Sequence, residues 1–568
     1  MEIWRVNARR RSLLREATPK SWEKFGGRGL VARIMRDETP PTCDPLGPRN
    51  KLIFAPGLLV GHMLSSCDRI SVGGKSPLTG GIKESNAGGR TGLHLTHLGI
   101  KALIIEDRPE DDELQIMVMS TDGISFEPAA DVLGKGVYAA AEILISRYGK
   151  NTAIALIGPG GERKLSSAGI QNIDKDRSPS RIAARGGLGA VMASKGLKAI
   201  VIDKSGGEKP DIVDPAAFRS ARKRYTEALM SHPQTRVYND YGTAAMTMMA
   251  SGFGALPTRN FSTGEFEGAE RISGEMMRDM LLERAGDAQT SHACMAGCTI
   301  KCSNVFADDQ GAGIVSPLEY ETIGLLGSNL GIDSLDAIAG MNWIVNDLGL
   351  DSIEIGAALG VAAEAGVWEF GDEHRAMELL EEIRQGTPLG LVLGHGAAVT
   401  GRVLGVSKVP VVKGQAMSAY EPRAIKGTGV TYATSPQGAD HTAGLTIRAK
   451  VDHLDPTIQT DISRSAQINM AGYDSLGVCS FGSFGFAVAP DAVRDLLNAR
   501  YGWDSGDDIL QKLGRTALTL EREFNSLAGF TSADDRIPEW MTIEPLAPHN
   551  AVFDVSDEDL DSIFDWIS

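Results

Sequence analysis

The chain has 568 residues, a formal net charge of −16 and an ordinary globular composition apart from 66 glycines, which mark tight turns and close backbone approaches. That length carries a large core without covalent staples, roughly three to four domains' worth, and the acidic balance excludes general affinity for nucleic-acid phosphate. The start Met1-Glu-Ile-Trp-Arg-Val lacks the features of an export signal and no apolar run reaches about 18 residues, so a soluble, cytoplasmic protein without a membrane span is expected.

From about Val31 to Ile202 short apolar runs read as strands, among them Lys51-Leu-Ile-Phe54, Ala102-Leu-Ile-Ile-Glu106 and Leu114-Gln-Ile-Met-Val-Met119. Between them a helix is expected over Val137 to Tyr148 with Gly149 as its stop, and Ala153-Ile-Ala-Leu-Ile157 returns to strand. After a polar link at Asp203 to Pro210, Asp214-Pro215 opens a helix with Phe218, Ala221, Tyr225 and Leu229 on one face. Asp333 is the expected N-cap of a helix bearing Leu335, Ile338 and Ile344, and Ile353 to Gly366 forms another. A boundary falls near Val411 to Gln415. The last third mixes glycine-rich loops with helices such as Asp491 to Arg500, and ends in an amphipathic helix capped by Ser556, with Leu560, Ile563, Phe564 and Ile567 on its apolar face. The fold class is α+β: a β-rich domain over residues 1–205, then mainly helical domains over 206–412 and 413–568.

Four of the six cysteines fall in two places, Cys294-Met-Ala-Gly-Cys298-Thr-Ile-Lys-Cys302 and Asp474-Ser-Leu-Gly-Val-Cys479. A spacing of four aligns the first three thiols on one helix face, and Gly297 equally permits a loop. Four thiolates satisfy a 4Fe-4S cluster, whereas structural zinc more often shows paired CxxC spacing. Buried apolar cysteine is the plain alternative, and Cys43 and Cys67 are assigned to it.

Two stretches suit a polyanion. One runs from Arg69 through Lys75-Ser-Pro-Leu-Thr-Gly-Gly to Asn86, and the other from Arg181 and Arg185 to Lys198. Glycines let backbone amides approach phosphate oxygens while the cations add charge-assisted donors. Gly187-x-Gly189 lacks the third glycine and the preceding strand of a dinucleotide fingerprint, which removes a nicotinamide site.

Taken with Ala184-Arg-Gly-Gly-Leu-Gly-Ala-Val-Met-Ala-Ser-Lys-Gly-Leu-Lys-Ala-Ile200, Glu319-Tyr-Glu321-Thr-Ile, Asn346-Asp-Leu-Gly-Leu-Asp351 and Tyr432-Ala-Thr-Ser435, these motifs resemble the aldehyde ferredoxin oxidoreductase family. The resemblance spans nearly the whole chain. It implies a tungsten or molybdenum bis-pterin cofactor carried on the β-rich domain, under two helical domains. Arg69, Lys75, Arg181 and Arg185 would serve the pterin phosphates. The backbone carbonyl of Asn86 would help hold a bridging magnesium, and Asn346, Asp351, Asp474 and Gly477 belong to the motifs that hold the rings. Cys294, Cys298, Cys302 and Cys479 would ligate a 4Fe-4S cluster. Two departures stand out: C-x3-C-x3-C replaces C-x2-C-x3-C, and Asn346 replaces an aspartate.

The implied chemistry is oxidation of an aldehyde to a carboxylate, with His441 as donor to the carbonyl and Glu319 or Glu321 as base. Glu319 and Glu321 share a face on a strand and diverge by about 200° on a helix, so sequence leaves the choice open. Electrons would leave to ferredoxin or a ferredoxin-like subunit, from a homodimer or a subunit of a larger complex. The alternatives are a reductase complex acting on an aromatic acyl-CoA and, in another class, a non-catalytic zinc-binding protein. Met246, Met248, Met249, Phe481, Phe484 and Phe486 are candidates for an apolar lining or for core.

Overall fold

The computed structural model describes residues 1–111 and 113–567. Its first 200 residues form two six-stranded sheets. The first contains β1 (Glu2–Asn7), β2 (Ser12–Ala17), β3 (Leu52–Pro56), β4 (Ile70–Lys75), β5 (Ile82–Ala87) and β6 (Ile100–Glu106), in the order β2-β1-β6-β3-β4-β5. The second contains β7 (Gln115–Ser120), β8 (Gly123–Pro128), β9 (Ala153–Leu156), β10 (Ile170–Asn172), β11 (Arg181–Ala183) and β12 (Leu197–Ile202), in the order β11-β10-β9-β12-β7-β8. Within these two sheets, among the described residues, only β1–β6 and β12–β7 pair in parallel.

Alternation of side chains across each pleat explains the continuous apolar runs. On β3, Leu52 and Phe54 join Met117, Ala155 and Ile200 in a core between the sheets. Ile53 and Ala55 face the other way, onto Leu30, Ile34 and Met35 of the helix Gly27–Glu38 and Phe524 of the helix Ile509–Ala528. The outer face of the second sheet is covered by the helix Val137–Tyr148. Thus Val31, where the first strands were expected, lies in a helix, and β1 and β2 precede it.

The rest of the chain is mainly helical. Asp214 accepts from the amides of Ala216 and Ala217 and starts the helix Pro215–Ser231, which buries Phe218, Ala221, Tyr225 and Leu229. Asp333 does not cap the helix Leu335–Leu348. Ser334 does, accepting from the Ala337 amide at 3.2 Å, while Asp333 pairs with Arg271. Near the C-terminus helical structure covers only Asp557–Asp561, although Leu560, Ile563 and Phe564 are buried as expected. Among the described residues no helix is long and apolar enough to cross a membrane.

Sheets and helices interlock through backbone. A Cβ on Gly57 would stand 2.0 Å from the Gly477 nitrogen, and one on Gly27 would stand 2.0 Å from the Asp474 carbonyl oxygen. Gly57→Ala therefore forces the loop after β3 away from the Cys479 segment. The expected result is loss of several kcal/mol, on the order of an overpacked core, seen as a lower melting temperature, and an unchanged melting curve would contradict this contact.

Candidate functional site

The three clustered cysteines lie in a loop, not on a helix, with Gly297 at φ +79° turning the chain between Cys294 and Cys298. Left-handed backbone at that position is why a glycine is needed there. Cys302 ends the loop, bridged to His292 beside strand Ser303–Ala307. Cys479 comes to the same place from the far end of the chain: its amide donates to the Ser66 carbonyl at 2.8 Å, and the Ser66 hydroxyl lies 3.5 Å from Cys298 Sγ. Burial pushes the Cys294 thiol up to about 12, with the neighbouring thiols Cys298 and Cys479 adding to the shift. Burial also raises Cys302, helped by the Glu319 carboxylate and the other three thiols. Such groups ionise as ligands of a cationic centre rather than alone. Cys43 and Cys67 are both buried; Cys67, next to Ser66, lies close to the loop, its thiol raised by burial and further by Cys479 and Cys298, and it donates to the Ser65 carbonyl.

Arg69 stands over these thiols. Its amide donates to the Gly477 carbonyl at 3.2 Å and its guanidinium to the Asn86 carbonyl at 3.1 Å and the Asn86 side chain. Burial opposes its charge, and Cys479, Cys294, Asp474 and Glu84 outweigh that and hold it protonated. Arg181 donates to Ser303 at 2.9 Å and contacts Asp174 and His292, but its buried Nε has no partner. Lys75 is turned aside, its ammonium on the Pro41 carbonyl. Asn346 bonds Asn342 at 3.2 Å.

A second group of residues lies around Glu321 and His441. Glu319 has extended backbone before the helix Tyr320–Leu326, and Glu321 is in that helix's first turn, so the two carboxylates part. Glu319 accepts from Thr243 and raises the Cys302 thiol, which places it on the cysteine side. Glu321 Oε2 accepts from the Ala419 amide at 2.7 Å, and its Oε1 lies 3.3 Å from His441 Nε2. That Oε1 is buried without an aligned hydrogen bond, and burial raises the Glu321 carboxyl while His441 opposes the rise.

The histidine's tautomer follows from its neighbours. Ser418 Oγ accepts from Arg185 Nη1 at 3.2 Å and lies 2.9 Å from His441 Nδ1. With Arg185 on one lone pair and the His441 amide, at 3.4 Å, on the other, the hydroxyl gives its own proton to Nδ1, and the ring hydrogen sits on Nε2, facing Glu321. Behind the ring, Asp440 bonds Lys83 at 2.8 Å and is held well below the usual carboxylate range: burial raises it, and Lys83, Arg185 and His441 together outweigh burial. Arg185 also bonds Asp351 at 3.1 Å and the carbonyls of Ala416 and Ala439 at 2.6 Å. Asp351 in turn caps the helix Ser352–Glu364.

Several contributors have no signature in sequence. Arg28 makes two 2.8 Å bonds to Glu521 and one of 3.3 Å to Asp474, which burial raises above the normal aspartate range despite Arg28. Lys83 and Ser418 orient His441 from distant segments. Arg448 stacks on Tyr238, Phe481 and Phe484 with its Nε unpartnered, so these aromatics line a cationic corner rather than a purely apolar one.

Comparison with known proteins places this architecture. Residues 3–204 match the family model "Aldehyde ferredoxin oxidoreductase, N-terminal domain", and residues 220–565 match "Aldehyde ferredoxin oxidoreductase, domains 2 & 3". The chain is 33% identical over 559 residues to a tungsten-containing aldehyde ferredoxin oxidoreductase of Pyrococcus abyssi, covering 94% of this chain and 89% of that one. It is 27% identical over 545 residues to the WOR-like subunit of an aliphatic sulfonate oxidoreductase of Pyrococcus furiosus, covering 89% and 82%. The fold is shared with the BamBC active-site complex of benzoyl coenzyme A reductase, with a TM-score of 0.80 at 19% identity, covering 100% of this chain and 93% of that one. Fold and relatives define a tungsten-type oxidoreductase with a β-rich base under a helical cover. The chain belongs to the aldehyde ferredoxin oxidoreductase family. Membership implies a tungsten–pterin cofactor and removes the non-catalytic zinc-binding alternative.

Proposed function

We propose that the protein oxidises an aldehyde and water to a carboxylate, releasing three protons and two electrons. The observation that carries this reading is the Glu321–His441 pair, a buried carboxylate oxygen without an aligned hydrogen bond 3.3 Å from an imidazole nitrogen. Buried polar atoms are normally satisfied, and this open one, beside an imidazole nitrogen able to donate, is placed to act with it on a reactant. When bound, the tungsten–pterin group supplies the acceptor for the two electrons. His441 Nε2–H donates to the carbonyl oxygen of the aldehyde and orients it. Glu321, raised by burial, takes a proton from the reacting centre. Ser418, Arg185 and the Lys83–Asp440 pair keep the ring in that tautomer.

Some of the expected residues fit the cofactors. We assign Arg69 and Arg181 to the pterin phosphates, Asn86 to a bridging magnesium, and Asn346, Asp351, Asp474 and Gly477 to the rings; Lys75, on the Pro41 carbonyl, and Arg185, held by Asp351 and the Ala416 and Ala439 carbonyls behind His441, are engaged elsewhere. The unpartnered Nε of Arg181 and the lack of a carboxylate bonded to Arg69 support the first group. Among the described residues no three His, Cys, Asp or Glu side chains converge on one ion. We assign the four thiols Cys294, Cys298, Cys302 and Cys479 to a 4Fe-4S cluster, which takes four thiolates and would pass electrons to ferredoxin. In this assignment residues 1–205 form the pterin base, 206–412 bring three cluster cysteines and 413–568 the fourth.

Metal analysis together with turnover tests the reading. Expected are tungsten and about four irons per chain, with viologen reduction by a panel of aldehydes. Fully metallated protein that ignores every aldehyde but acts on an aromatic acyl-CoA with a strong reductant would move the assignment to the reductase branch.

A further inference from the structure

Residues 63–66 run along the cysteine loop and meet it one after another. A Cβ on Gly297 would stand 3.0 Å from the Met63 carbonyl oxygen. Ser65 Oγ accepts from the Thr299 amide at 3.1 Å and lies 2.9 Å from the Thr299 hydroxyl. Ser66 is fully buried and reaches two of the four thiol-bearing residues: its hydroxyl lies 3.5 Å from Cys298 Sγ, and its carbonyl accepts from the Cys479 amide at 2.8 Å. Two adjacent serines thus divide the contact. Ser65 latches the backbone of the loop, and Ser66 addresses a sulfur.

The direction of the Ser66 bond follows from its surroundings. Ser66 has φ +60°, a left-handed conformation that non-glycine residues seldom adopt, and this turn sets the hydroxyl and the carbonyl of one residue against two different cysteines. The other side-chain oxygen near its hydroxyl is Ser65 Oγ, 3.5 Å away and already engaged by the amide and hydroxyl of Thr299. A cysteine that ligates a metal centre is deprotonated, so its sulfur only accepts. The proton of the pair is then the serine's, and the bond runs from Ser66 Oγ–H to Cys298 Sγ.

We propose that Ser66 sets the reduction potential of the cluster at Cys294, Cys298, Cys302 and Cys479 through the hydrogen bond from its hydroxyl to Cys298 Sγ. The proposal rests on the cluster assignment above. Uptake of one electron adds negative charge that the ligand sulfurs share, and a donor at a sulfur stabilises the more negative state. The bond therefore raises the potential and favours acceptance of each electron released by the aldehyde. Ser66 touches no reacting atom and is a positioning residue, acting through Cys298.

The test compares the wild-type holoenzyme with Ser66→Ala, Ser66→Gly and Ser65→Ala, each assayed for iron and titrated potentiometrically by the electron paramagnetic resonance signal of the reduced cluster. Ser66→Gly removes the same hydroxyl at a backbone conformation that glycine adopts freely, which covers an alanine variant that fails to fold. Expected are about four irons per chain throughout and, in both Ser66 variants, a reduced-to-oxidised ratio about tenfold lower at a given potential, a downward shift of about 59 mV for one electron. Ser65→Ala should shift less. Ser66 variants that keep the cluster at the wild-type potential overturn the proposal, and so does loss of the cluster from both, which leaves Ser66 a purely structural role. An equal shift in Ser65→Ala also overturns it, because the seating of the loop and not the hydroxyl would then set the potential. A wild type that shows no 4Fe-4S signal overturns the cluster assignment itself, and the proposal with it.

Discussion

Replacing His441 by alanine lowers kcat by about 10²- to 10⁴-fold, the range of a positioned acid–base group, while tungsten and iron contents and the melting temperature stay those of the parent. The expectation follows from the ring's position: it closes one side of the Glu321 carboxylate and contacts Ser418, but its side chain holds no helix or sheet in place. Glu321→Gln keeps an acceptor for the Ala419 amide and cannot take a proton, so its loss should match. Because both act on one reactant, the double variant should be no worse than the poorer single one. Metal analysis and single-turnover kinetics check both halves. An unchanged kcat in His441→Ala removes that residue from the mechanism. A larger loss in Glu319→Gln than in Glu321→Gln transfers the base to the cysteine side.

The largest stability effect is expected at Arg28. Its guanidinium is buried and shared by Glu521 and Asp474, carboxylates 47 positions apart on two different helices. Arg28→Met leaves Glu521 buried without its cation, a loss on the order of 3–5 kcal/mol, whereas Asp474, already raised by burial, is eased by protonation. The loss is read as a lower melting temperature and as a shorter half-life at elevated temperature. Adding Glu521→Leu should restore much of that half-life, because an apolar pair of similar volume removes the stranded charge. No recovery in the double variant would mean that Arg28 acts through Asp474 instead.

Local patterns carried much of this structure. The helix Val137–Tyr148 and its stop at Gly149 follow from residue type alone, and so do the strands buried on both faces, whose runs have no polar side. Failures came where partners outrank propensity. Asp333 is as good a cap as Ser334 in isolation, and residue type does not choose between them; in the fold Ser334 caps and Asp333 pairs with Arg271, 62 positions away. The helices Gln459–Leu476 and Ile509–Ala528 were not singled out, although Gly514 packs against the Ile468 carbonyl between them. At the site, cysteines, glutamates and histidine stand in recognisable motifs. Lys83, Ser418 and Arg28 do not: Lys83 and Arg28 act on segments hundreds of positions away, and Ser418 acts on a ring 23 positions away, so local spacing carries no trace of them.

The contact of Gly57 with Gly477 has a consequence in time. These glycines are separated by about 420 residues, which at roughly 5–20 residues per second is about 20–80 s of synthesis. A nascent chain that has finished both sheets therefore still lacks the wall supplied by Asp474, Gly477 and Cys479. Anything bound between those walls can be enclosed only after the segment carrying Cys479 has emerged from the ribosome.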